Sequence, residues 1–299
     1  METLAARPSA KNPLVTNSID AIAETHNAVE ATLNLIERVR TECRDHPGAL
    51  AIESGTCHVT YAELGNQADT IAAMVRRSGC APGDVIAVLV SDRAVLIAVM
   101  LGVLQAGCIF VPLNDDAPTE RLRHMVLWLK PKVFLTTESN YAAVKRLAAS
   151  VGDATSVMTV PHAADKITDG EPSPVHMVFP TEMGTPSTNV PSYVYFTSGS
   201  TGQPKGIAGT LNSLAKRIAW EIDAFQIPRG FRVSQLITAT FDPWFRDIFV
   251  PLCAEGTICI PPDRPARLSP GGRRGRPTPP CLRASCQPHR SAPPGGSGP

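Results

Sequence analysis

The chain has 299 residues, 43% hydrophobic and 18% charged, which suits one large globular domain or two ordinary ones with a real core. Its net charge of +1 argues against general attraction to nucleic acid or membrane surfaces. That mean hides an asymmetry: seven arginines and no lysine or acid follow Asp263, so the tail carries about +7 and residues 1–263 carry −6.

In chain order, residues 1–18 read as a flexible polar leader, and residues 20–44 as an amphipathic helix with Ile22, Val29, Leu33, Ile36 and Val39 on one face. "ALAIESGTCHVTY" (49–61) is hairpin-like. Thr60 and Glu63 form a capping box for a helix whose buried stripe is Leu64, Ala68, Ile71 and Val75, with Gly79 at its end. "VIAVLV" (85–90) is a strand, Ser91 caps a helix over 94–105, and "CIFVPL" (108–113) is a strand again. Pro118 opens a helix through Leu129, "KVFLTT" (132–137) is extended, and Tyr141–Ala149 is helical. Strands that are apolar throughout and alternate with helices specify a mostly parallel sheet covered on both faces. Residues 160–190 read as a loop with one strand near "VHMVF" (175–179). Beyond them, 193–197 and 206–209 are extended, 211–225 helical, 232–238 extended, 244–253 helical and 257–262 extended. There is no internal repeat.

The eight cysteines, Cys43, Cys57, Cys80, Cys108, Cys253, Cys259, Cys281 and Cys286, form no C-x-x-C pair and no zinc spacing. Most sit in apolar segments, as reduced thiols do in a cytoplasmic protein. The N-terminus lacks the apolar stretch of a signal peptide. The longest apolar run, Ala94–Leu104, falls short of the roughly 20 residues that span a bilayer.

"YFTSGSTGQPKGIAG" (195–209) concentrates glycines, hydroxyls and one lysine in a single loop. Bare backbone amides crowd close to phosphate oxygens, Thr197, Ser198, Ser200 and Thr201 add hydroxyl donors, and Lys205 adds charge, a combination suited to a polyphosphate. Pro204 before the lysine excludes the G-x-x-x-x-G-K-[ST] pattern, and the spacing is not G-x-G-x-x-G. Pro204 and "GIAG" also argue against a helix directly after the loop, so the grip comes from loop amides and hydroxyls.

"YVYFTSGSTGQPKG" (193–206) resembles the phosphate-loop signature of adenylate-forming (AMP-binding) enzymes. "TYAEL", "GVLQAG" and "FVPLNDDAPTERL" resemble the early blocks of their peptide-synthetase adenylation branch. The resemblance covers roughly residues 33–262. It implies the N-terminal part of the adenylate-forming fold: an α/β domain of stacked, mostly parallel sheets flanked by helices, here a partial adenylation domain over 19–263. It further implies activation of an amino acid with ATP and Mg2+ to aminoacyl-AMP and pyrophosphate, then loading onto a carrier protein's phosphopantetheine thiol. By this match Thr197, Ser198, Gly199, Ser200, Thr201, Gly202 and Lys205 meet the ATP phosphates, with Thr201 and Lys205 closest to the chemistry. Asp242, in "ATFDPWFRDIFVPL" (239–252), would hold the substrate's α-amino group, with Pro243 and Arg246 in the pocket wall. Asp242 before Pro243 is also an ideal helix N-cap, and Arg246 could instead pair with Asp247.

Trp220, Trp244 and Phe245 read as packing residues, His124 and His176 as structural histidines, and Asn114-Asp115-Asp116 as a cap for the helix after Pro118 rather than a metal site. The later family blocks, Asn-x-Tyr-Gly-Pro-Thr-Glu and Tyr-x-Thr-Gly-Asp, and the lysine-bearing C-terminal domain do not occur, which implies that the chain alone is inactive. A fragment of an acyl- or aryl-CoA ligase is the alternative, as is a non-catalytic nucleotide-binding remnant. Residues 264–299, rich in Pro, Gly, Arg and Ser, cannot bury enough surface to order themselves and read as a disordered tail. That tail is either a natural basic segment or an out-of-frame one.

Overall fold

The computed structural model describes residues 35–152, 155–160, 190–198 and 204–261. The expected leader, the first part of the 20–44 helix, the "VHMVF" strand, His176, the loop 199–203, Cys281, Cys286 and the tail lie outside these residues.

Helix α1 (Leu35–Asp45) buries Leu35, Ile36 and Val39. A hairpin of β1 (Leu50–Ser54) and β2 (Cys57–Thr60) follows. Thr60 then caps α2 (Tyr61–Arg77): its hydroxyl accepts from the Glu63 amide, and the Glu63 carboxylate accepts from the Thr60 amide at 2.8 Å. The expected stripe of Leu64, Ala68, Ile71 and Val75 is buried.

β3 (Val85–Leu89) leads into α3 (Arg93–Gln105). Asp92 caps α3 in place of the expected Ser91, its carboxylate accepting from the amides of Ala94 and Val95. Ser91 is otherwise engaged: it accepts from Asn140 Nδ2 at 2.8 Å and donates to Asp115. α3 is buried all round from Ala94 to Leu104, as its unbroken apolar run requires. Gly102 is where α2 crosses it; a Cβ there would lie 2.7 Å from the Ala68 carbonyl oxygen and from Ile71.

β4 (Ile109–Pro112), α4 (Thr119–Leu129), β5 (Val133–Thr136), α5 (Tyr141–Val151) and β6 (Ser156–Thr159) complete the alternation. α4 has no side-chain cap, so Asn114-Asp115-Asp116 does not cap it. Asn114 instead accepts from the Asp116 amide, a local turn, while Asp115 accepts from Ser91.

β7 (Tyr193–Ser198) and β8 (Pro204–Gly209) form an antiparallel hairpin, followed by α6 (Leu211–Ala224), β9 (Arg232–Ser234), α7 (Pro243–Leu252) and β10 (Thr257–Ile260). β9 is shorter than the expected 232–238, and β6 was not anticipated.

The strands make two sheets. One runs β6-β5-β3-β4-β7-β8, parallel except for β8; the other runs β2-β1-β10-β9, parallel except for β2. Alternate residues of β3 serve different cores. Ile86 and Val88 pack with α3, Ile52 and Ile258, while Ala87 and Leu89 pack with Leu122, Met125 and Val144 under α4 and α5. A sheet buried on both faces explains why its strands read as continuous apolar runs.

Cross-links tie the second sheet's end to the helices. Arg38 donates to the Cys253 carbonyl at 2.8 Å, and the buried Tyr61 hydroxyl donates to Gly256 at 2.9 Å. Trp244 and Phe245 are buried as expected. Trp220 is not a packing residue: it is 55% exposed beside Phe225 on the end of α6. His124 is likewise exposed on α4.

Candidate active site

The β7–β8 hairpin is the scaffold of the site. Its register pairs Tyr193 with Gly209, Tyr195 with Ile207, Thr197 with Lys205 and Ser198 with Pro204. Side chains alternate across a strand. Val194 and Phe196 therefore enter the core under α4, where Trp128 stands edge-on to Phe196. Tyr193, Tyr195, Thr197, Lys205 and Ile207 share the opposite face. Gly209 lets the Tyr193 ring lie flat across the strand: a Cβ there would meet its Cζ at 2.1 Å. β8 begins at Pro204, two residues before the expected 206–209 strand, and no helix directly follows the loop.

Thr197 is half-buried and Lys205 exposed, and they face each other where the hairpin opens. Ser198 closes β7. Gly199, Ser200, Thr201 and Gly202 lie outside the described residues.

Tyr193 reaches the α7 side of the site, its ring centroid 4.1 Å from that of Phe245. Asp242, immediately before α7, stands near both phenols. Burial, and then the Asp242 charge, push Tyr193 up to about 12 and raise Tyr195. The Asp242 side chain makes no cap hydrogen bond to α7, so the capping role expected of it is not taken up. Its carboxylate lies 3.6 Å from Arg217 Nη1, a residue of α6 that no sequence motif marked.

Pro243 is the first residue of α7. Arg246 pairs with the buried Glu221 of α6 and lies 3.5 Å from the buried Asp247. Burial raises the Asp247 carboxyl, and the Arg246 guanidinium opposes that rise. Thus Asp242 is brought to the hairpin, while Arg246 is committed to fastening α7 to α6.

Among the described residues no group of three or more His, Cys, Asp or Glu could hold a metal ion, and no helix is long and apolar enough to cross a membrane. A cavity of about 190 Å³ between α1, α2 and α3 is lined by Ile36, Val39, Cys43, Ala68, Leu101 and others, with no hairpin residue among them.

A mostly parallel α/β scaffold thus presents the hairpin that carries Thr197 and Lys205. The chain belongs to the AMP-binding enzyme family, whose model matches residues 39–273. It is 30% identical over 233 residues to the nonribosomal peptide synthetase fmqA of Aspergillus fumigatus, covering 77% of this chain and 5% of that protein. It is 28% identical over 260 residues to nonribosomal peptide synthetase 8 of the same organism, covering 87% of this chain and 3% of the relative. The chain thus spans a few per cent of the length of these relatives.

Two solved structures share the fold. The nonribosomal peptide synthetase FmoA3 superposes with a TM-score of 0.64 at 24% identity, covering 84% of this chain and 25% of FmoA3. ATP-bound MatB from Rhodopseudomonas palustris gives 0.61 at 21%, covering 76% of this chain and 44% of MatB. The fold is therefore that of an adenylate-forming N-terminal region.

Proposed function

We propose that this chain is the N-terminal part of an amino-acid adenylation domain that acts in the cytoplasm. The observation that carries the reading is the hairpin register: Thr197 faces Lys205 at the mouth of the loop, while Asp242, its carboxylate not spent on capping, stands beside Tyr193 and Tyr195 on the same hairpin. Anion-binding and cation-binding groups thus converge along one strand pair. FmoA3 has been solved with AMPPNP and with α-methyl-L-serine-AMP, which supports the same pairing of ligands here.

In this reading the loop amides of Gly199 and Gly202, the hydroxyls of Thr197, Ser198, Ser200 and Thr201, and Lys205 hold the ATP phosphates. Mg2+ brought in with the nucleotide would neutralise charge on its phosphates. The Asp242 carboxylate takes the α-ammonium of the amino acid. A carboxylate oxygen of that amino acid attacks the α-phosphorus, and the bond to the bridging oxygen breaks. Pyrophosphate leaves with the charge that the loop donors and Lys205 stabilise. The phosphopantetheine thiol of a carrier protein then attacks the acyl carbon and displaces AMP. Pro243 lines the amine end, and Arg246 supports that wall through Glu221 and Asp247.

Equilibrium titration of the full chain with MgATP tests this reading. We expect saturable binding, weakened about tenfold or more by Lys205→Ala, the scale of losing one charge-assisted contact. Asp242→Asn should leave nucleotide affinity unchanged. Binding indifferent to Lys205 would contradict the reading.

A further inference from the structure

Arg217 is unexplained by the proposed chemistry, yet it is paired with the proposed amine ligand Asp242. Its Nη1 lies 3.6 Å from Asp242 Oδ2, and both side chains remain open to solvent, 52% and 33% exposed. A guanidinium there competes with any ammonium for the same carboxylate. A substrate with a neutral side chain would have to share Asp242 with Arg217 and give nothing in return. A substrate that also carries a distal carboxylate resolves the conflict: its ammonium meets Asp242, its second carboxylate meets Arg217, and four charges alternate in sign.

Thr197 and Lys205 mark the proposed phosphate end of the hairpin, and Arg217 of α6 stands beside Asp242, the proposed amine ligand. Arg246, by contrast, is committed to Glu221 and Asp247.

We propose that Arg217 is a specificity-determining residue and that the substrate is an α-amino acid with a carboxylate side chain, recognised jointly by Asp242 and Arg217. The proposal rests on the amine-binding role of Asp242 given above.

The test is ligand-observed NMR or calorimetry on the full chain with L-glutamate and L-glutamine, alongside MgATP titrated separately. We expect glutamate to bind about tenfold or more tightly than glutamine, the scale of one charge-assisted pair. Arg217→Gln should bring the two to parity, Arg217→Lys should keep most of the preference, and both variants should bind MgATP as the unmodified chain does. Equal affinities in the unmodified chain, no binding of either amino acid, or a preference that survives Arg217→Gln would each overturn the proposal. Loss of MgATP binding with the glutamate preference intact would instead remove the nucleotide reading and leave the Arg217 assignment standing.

Discussion

Asp84 and Lys132 show how a single pair sets a pH dependence in this protein. Lys132 Nζ lies 2.7 Å from Asp84 Oδ2 and also donates to the Gly79 carbonyl at 2.8 Å, joining the starts of β3 and β5. The Lys132 hydrogen bond, then the Ala81 amide, hold the Asp84 carboxyl below its ordinary value. A depressed folded-state pKa stabilises the fold above the unfolded value, about 4, and that contribution is lost as pH falls through the folded value. Lys132 is raised in return, by Asp84, so its share is lost only as pH climbs above the ordinary lysine range. Lys132→Met should therefore lower the urea midpoint at about pH 6 more than at about pH 3; an equal loss at both would rule out the pair as the cause. Burial likewise pushes Cys43 and Cys108 up to about 11 and Cys253 up to about 12, so these thiols stay protonated and should alkylate slowly at neutral pH. Fast alkylation mapped to Cys108 or Cys253 in the native chain would contradict their burial.

At the scale of elements, two substitutions separate local preference from packing. Thr60→Ala removes one half of the α2 capping box and should cost about 1 kcal/mol by chemical denaturation. Gly102→Ala should gain about 1 kcal/mol of helix propensity. Its new Cβ, however, would sit 2.7 Å from the backbone oxygen of Ala68. Overpacking of this kind costs roughly 1–3 kcal/mol or more, so a net loss is expected; a stabilised variant would show that α2 and α3 can part without cost. The elements legible in the sequence were those with strong periodicity or caps: α2 from its box and stripe, α3 from its apolar run, the β3, β4 and β5 strands from continuous burial. β6 was missed because "SVMT" is short and exposed at both ends. Ser91 was read as the α3 cap because Ser and Asp are equivalent cap formers one position apart; what decides between them is Asn140 and Asp115, which engage Ser91 from distant parts of the chain. Trp220 looked like core by residue type, yet it lies on the face of α6 turned away from Leu214 and Ile218.

For the whole molecule, the site was legible where one motif spells it and illegible where tertiary contact makes it. Thr197 and Lys205 were both visible in the loop sequence, and the hairpin register sets them opposite each other. Asp242 was readable as an amine ligand or as a cap, and the fold leaves its side chain out of the cap. Arg217 had no signal, because its meaning comes from the approach of α6 to Asp242, 25 positions further along the chain. The most direct test of the account is hydrogen exchange of the intact chain with and without MgATP. The account predicts slowed exchange in peptides covering residues 193–209 and no change in α2. Unaltered exchange across the hairpin at saturating nucleotide, or slowing confined to other segments, would contradict it.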